Sequence, residues 1–150
     1  MSRRRKARLP AATKGTVVLD SGAITKVALA DLLACSIVED LSGRGWAVCI
    51  PAAALAEVIT GRAKTDAPIE RLIKQVGNTM DCGERLAKVA GVLRTKAIRC
   101  KKLPPSGPSG IEAIVAAATV ACQPSIVLTT DPDDMGALLV AAELATVIRV

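Results

Sequence analysis

Short apolar runs, each too brief for a helix, alternate along this chain with longer segments of helical periodicity, and that alternation narrows the architectures open to it. TVVLD (16–20) is a continuous apolar run closed by an acid and followed by Ser-Gly, the pattern of a strand buried on both faces and then a turn. WAVCI (46–50), SIVLTT (125–130) and ATVIRV (145–150) read as further strands, with a weak short one at NTMDC (78–82). Between them, helical periodicity predicts helices over 24–42, over AAALAEVITG as far as Gly61, and over 67–77, 83–98, 111–122 and 132–144. KKLPPSGPSG (101–110) is the clearest loop. Strands alternating with helices predict an α/β sandwich around a mainly parallel sheet, covered on both faces. In such folds ligands gather beyond the carboxyl ends of the strands, where the strand order reverses.

The core must be built from small residues. The 150-residue chain has no Phe, no Tyr and one Trp, yet is 51% hydrophobic. That suits helices lying close on a sheet and argues against RNA binding by aromatic stacking. The absence of histidine removes imidazole bases, serine triads and histidine metal sites together. Five scattered cysteines (35, 49, 82, 100 and 122) form no CxxC pair. All but Cys100 sit amid small apolar residues, and most are expected to be buried, reduced thiols of a cytosolic protein. No apolar run reaches the roughly 18 residues of a membrane span. The basic start has no apolar segment behind it, as a secretory signal would.

Charge is unevenly placed. Residues 1–14 carry six basic groups and no acid, a tail expected to be disordered, whereas residues 15–150 hold 14 basic and 14 acidic groups. Within that body, residues 62–102 carry 11 basic groups and four acids, either a solvated face or a surface for a polyanion.

Chemistry must then come from carboxylates, hydroxyls, lysines or a bound metal. Asp20 ends one strand and Asp131 follows another. If those strands are neighbours their ends lie about 4.8 Å apart, and two carboxylates so close repel unless one is protonated or a cation intervenes. Glu57 is the one charged residue in AAALAEVI. Each acid also has an ordinary explanation. Asp20 suits a turn, Glu57 an exposed stripe, and Glu112 in SGIE a capping box with Ser109. In DPDD, Asp131 suits an N-cap, with Pro132 at the first helical position and Asp133 and Asp134 on the helix dipole. Separately these suffice, but together they leave the shared placement at one rim unexplained. Oxygen ligands without His or Cys select Mg²⁺ or Mn²⁺.

VVLDSGAI, IPAAALAEVITG, IEAIVAAATVA and VLTTDPDDMGAL, in that order and spacing, resemble a PIN-domain ribonuclease, with the VapC-type toxins of toxin–antitoxin pairs as nearest relatives. The resemblance covers about residues 16–150. It implies a PIN-like three-layer sandwich with sheet order 3-2-1-4-5, Mg²⁺- or Mn²⁺-dependent endoribonuclease activity, a homodimer and a cognate antitoxin. It also implies catalytic and metal-holding roles for Asp20, Glu57, Glu112 and Asp131, a further acid at Asp134, and support from Ser21 and from the hydroxyl of Thr130 or Thr129. Arg62, Arg85 and Lys88 are candidates for RNA contact. The family's helix acid is usually Asp, and Glu112 departs from that by one methylene. A catalytically inert PIN-like module that binds RNA or a protein is the alternative. A phosphotransfer fold fits less well, because residue 22 is Gly where a phosphatase D-x-D would need its second acid.

Overall fold

A computed structural model describes residues 13–101, 103–104 and 106–150. The basic tail expected over 1–14 lies, as far as residue 12, outside the described residues.

Five parallel strands form one sheet in the order β3-β2-β1-β4-β5. They are β1 (Gly15–Leu19), β2 (Trp46–Pro51), β3 (Thr79–Met80), β4 (Ser125–Thr129) and β5 (Ala145–Arg149). The two continuous apolar runs take the centre. Val17, Val18 and Leu19 of β1 and Val127 and Leu128 of β4 are fully buried, as a strand with helices on both faces requires. Gly15 lets Trp46 lie against the start of β1, since a Cβ there would sit 2.5 Å from the indole ring.

Helices α1 (Ser21–Ala28), α2 (Leu32–Gly43), α3 (Leu55–Val58, after a 3₁₀ turn at Ala52–Ala54) and α4 (Ala63–Val76) join the strands on the β2–β3 side. Helices α5 (Glu84–Lys101), α6 (Gly110–Ala121) and α7 (Pro132–Leu138) belong to the connections that cross back to β4 and β5. Right-handed crossovers running in opposite directions from β1 put these two sets on opposite faces. Accordingly α1 packs on α2, α3 and α4, whereas α5, α6 and α7 pack on one another. The reversal falls between β1 and β4, which is where such a fold builds its site.

Several boundaries differ from expectation, and the helix expected over 52–61 is a 3₁₀ turn at Ala52–Ala54 followed by a single α-helical turn that ends at Val58. The helix predicted over 24–42 is two helices meeting at 97°. Asp31 caps the second by accepting from the Ala34 amide at 3.0 Å, and Ala30 between them adopts φ 60°. Helix α4 begins at Ala63 rather than 67, because the Asp66 carboxylate reaches back to the Thr60 and Gly61 amides at 2.9 and 2.8 Å and folds that loop onto the first turn. Helix α7 stops at Leu138 rather than continuing to 144. The chain must turn there to bring Ala145 beside Ser125, and Gln123 holds the return by accepting from the Leu144 amide at 3.0 Å. Cys49 is buried, and burial pushes its thiol up to about 11. Cys82, expected inside, is exposed in the turn after β3. Among the described residues no single helix is long and apolar enough to cross a membrane.

Candidate active site

Strands β1 and β4 pair in register, Leu19 beside Leu128, and the Asp20 amide donates to the Leu128 carbonyl at 3.1 Å. Asp20 therefore stands across from Thr129, one residue past the end of β1. Asp20 is 7% exposed, and both of its carboxylate oxygens are engaged. One oxygen accepts from the Ala23 amide at 2.7 Å and caps α1, the other accepts from the Thr130 amide at 3.3 Å, and the Thr129 hydroxyl donates to the group as well. Burial nevertheless raises the Asp20 pKa above the ordinary 3.8. The three hydrogen bonds oppose the shift, and the nearby charge of Glu112 adds to it.

Thr129 also accepts from the Asp131 amide at 2.9 Å, so one buried hydroxyl ties the two acids together. The hydroxyl that lies between Asp20 and Asp131 is Thr129's, because register puts it opposite Asp20. Thr130 contributes its backbone N–H, and its side chain covers Gly22, where a Cβ would sit 2.2 Å from the Thr130 hydroxyl oxygen.

Asp131 caps α7, accepting from the Asp134 amide at 3.2 Å. Glu112 closes the expected capping box: it accepts from the Ser109 amide at 2.6 Å while the Ser109 hydroxyl accepts from the Glu112 amide at 3.1 Å. Glu112, Asp131 and Asp134 each place one carboxylate oxygen within 4.8 Å of the others, and they are the one such group of three among the described residues. Burial and then the charges of Asp131, Glu112 and Asp133 raise the Asp134 pKa. From the other side, Glu57 on α3 accepts a short hydrogen bond from the Ser21 hydroxyl.

These residues surround one cavity of about 260 Å³, lined by Asp20, Ser21, Glu57, Glu112 and Asp131 together with Gly22, Ser109 and Thr130. Four acids separated by up to 111 positions thus share one opening at the rim of the sheet, with Asp134 beside it. The donors are oxygens throughout, and burial first, with the neighbouring acids adding to it, raises the pKa of both Asp20 and Asp134.

Arg62, Arg85 and Lys88 do not line this cavity. Arg62 stands at the start of α4. Arg85 borders a groove against Ala117, Val120 and Ala121, the half of α6 farther from Glu112, and Lys88 pairs with Glu84 on the outer face of α5. Sequence reasoning assigned no role to Ser109 beyond its cap or to Gly22 beyond a missing acid. Both line the cavity, and their value depends on partners distant in the chain.

A parallel five-stranded sheet of order 3-2-1-4-5 between two helical layers is a PIN-like fold. No protein-family model matches the sequence, and no curated protein matches it significantly. Solved structures do match the fold. The structure of VapBC2 from Rickettsia felis bound to a DNA fragment from its promoter contains a chain that superposes with TM-score 0.68 at 12% identity, over 90% of this chain and 98% of that one. FitAcB from Neisseria gonorrhoeae gives 0.62 at 16% identity, over 88% and 96%. DNA-bound VapBC from Salmonella typhimurium gives 0.62 at 14%, over 89% and 97%.

Proposed function

We propose that this chain is a divalent-metal-dependent endoribonuclease, the toxin of a toxin–antitoxin pair. The observation that carries the reading is the convergence of Asp20, Glu57, Glu112 and Asp131 on one cavity at the point where the strand order reverses. The likeness of fold to VapBC and FitAB components supports it.

Glu112, Asp131 and Asp134 would hold the Mg²⁺ or Mn²⁺, with Asp20 closing the site from β1. Such an ion, when bound, would supply activation of water and neutralisation of charge on the phosphodiester. The chain's own contribution is orientation. Asp20 is fixed by three donors, and Glu57 is turned toward the cavity by Ser21. The Ser109 cap sets Glu112, and Ile111 and Val115 give the cavity its apolar lining. An antitoxin and a second copy of the chain are the proposed protein partners, acting in the cytoplasm. The apolar corner of Leu29, Leu32 and Leu33 (66, 88 and 58% exposed) supports a partner surface.

Asp20→Asn tests the reading. Asn is as good an N-cap as Asp, so the folded protein should persist while Mn²⁺-dependent cleavage of RNA is lost; undiminished cleavage would end the proposal. One observation favours a second reading, an inert PIN-like binding module: an oxygen of Glu112 is already committed to its cap at 2.6 Å. Millimolar Mn²⁺ that leaves thermal stability unmoved would favour that module.

A further inference from the structure

We infer that the outer face of α5 is a rail for the phosphate backbone of single-stranded RNA, leading away from the acidic cavity. The inference rests on the nuclease reading for its choice of polyanion. Helix α5 turns Ala90 and Ala97 into the core. Arg85, Lys88, Val92, Lys96 and Arg99, all exposed, recur every three or four residues and so share the opposite face. Four cations lie along about 21 Å of helix at 1.5 Å per residue. The one acid on α5, Glu84, is paired with Lys88 on an exposed face, where such a pair is weak and exchangeable for a phosphate, and exposed Asp81 borders the groove beside Arg85.

Between the two pairs of cations the surface is open. Gly91, Val92 and Thr95 form the floor of an open depression flanked by Lys88, Lys96 and Arg99. Nothing approaches the Cβ position of Gly91 within 4 Å. There is no ring to stack a base, so contact would be electrostatic and independent of sequence.

The rail also joins the site. Helices α5 and α6 run antiparallel: Arg94 of α5 donates to the Pro108 carbonyl, one residue before the Ser109 cap, while Leu86 and Val89 face Ala117, Val120 and Ala121. The Lys96–Arg99 end is therefore the end beside the cavity, and the Arg85–Lys88 end is remote from it. Arg94 and Ile98, which meet residues 108 and 107, lie on the side of α5 away from Lys96 and Arg99, so a strand whose scissile phosphate occupied the cavity would wind round α5 to reach that pair. That accounts for Arg85 and Lys88 standing away from the acids while still serving the same substrate.

The test compares wild type with Lys96→Ala/Arg99→Ala, substitutions that favour helix and leave the core alone. Binding of a labelled, unstructured 20-nucleotide RNA is followed by anisotropy in EDTA, between 50 and 200 mM salt. Single-strand binding scales with about −0.7 per phosphate contact. Four contacts predict about a 50-fold loss of affinity over that range, and two contacts about 7-fold. With Mn²⁺ restored, the variant should show a raised KM for the 20-mer at unchanged kcat, and unchanged cleavage of a trinucleotide. An unchanged salt slope would overturn the proposal. So would an unchanged slope accompanied by weaker binding of polyglutamate, which would assign the face to an acidic protein. Absence of cleavage by wild type would instead sink the nuclease reading, and the binding in EDTA would still judge the rail.

Discussion

Thr129→Val isolates the hydroxyl that joins the two strand-end acids. Valine keeps the shape and favours a strand, so the effect should come from the oxygen alone. Thr129 is 1% exposed, donates to the Asp20 carboxylate and accepts from the Asp131 amide. A hydrogen bond to an ionised group contributes about 1.5–3 kcal/mol. The Asp131 amide belongs to an exposed residue and can turn to water, so its loss adds little. The new methyl returns about 0.8 kcal/mol by burial. The net cost near neutral pH is then about 1.5 kcal/mol, or a Tm lower by roughly 3–6 °C in a chain of this size.

The sign of the pH dependence makes the prediction specific. Asp20 already titrates above 3.8 in the fold. Stability linked to such a group is fully present below 3.8 and is lost as pH rises through the higher folded value. Removing a hydrogen bond that favours the carboxylate raises the folded value further. The deficit of Thr129→Val should therefore grow with pH above 3.8 and shrink to under about 1 kcal/mol where Asp20 is protonated, since a neutral hydrogen bond contributes only about 0.5–1.5 kcal/mol. Urea unfolding from pH 4 to 8, alone and in an Asp20→Asn background, measures this. A deficit that is flat with pH and undiminished by Asp20→Asn would refute the idea that this hydroxyl serves the carboxylate.

Gly22→Ala pits propensity against sterics. Alanine should gain about 1 kcal/mol within α1, but its Cβ would meet Thr130 at 2.2 Å, so overpacking of about 1–3 kcal/mol should prevail and metal-dependent RNA cleavage should fall with it. Asp66→Asn should lower Tm at neutral pH. Hydrogen bonds from Thr60, Gly61 and Arg62 hold the Asp66 pKa below 3.8, so its contribution is present above that value and is lost as pH falls through the lower folded one; an acid limb of the wild-type stability curve that survives the substitution would refute this. Ala30→Gly should be stabilising by up to about 1 kcal/mol in chemical unfolding, because Ala30 adopts a left-handed φ of 60° that costs about 1–2 kcal/mol without glycine.

What the sequence disclosed depends on whether a signal is local. The central strands were legible because burial on both faces leaves continuous apolar runs, as in TVVL and SIVL. The Ser109–Glu112 box was legible because both partners lie within one helical turn. The break at Ala30 was not, since the residue in the left-handed conformation is alanine rather than the glycine that would announce it. Choosing Thr129 over Thr130 required the β1–β4 register, and the close fit at Gly22 required a partner 108 positions away. The basic stripe of α5 was visible as composition, but its direction relative to the acids emerged only from the antiparallel packing of α5 on α6.

Helix capping and the proposed metal binding look like rival explanations of the acids, yet in this geometry one would be the means of the other. Asp20 caps α1, Asp131 caps α7 and Glu112 completes the box that starts α6. Three helix N-termini thus converge on the same cavity. Each carries roughly half a positive charge, which lets several carboxylates crowd together before any cation arrives. Each cap also locks a rotamer, so the oxygens not used in capping are pre-aimed. Glu112→Gln separates the two roles, because an amide oxygen still completes a capping box but is a poorer ligand for a hard cation. If Glu112 does both, the glutamine variant should keep its Tm in EDTA to within about 2 °C, a shift worth under about 1 kcal/mol, and lose much of the stabilisation that Mn²⁺ gives wild type. Equal Mn²⁺ stabilisation of the two proteins would leave Glu112 a cap alone, and the metal would then rest on Asp131, Asp134 and Asp20.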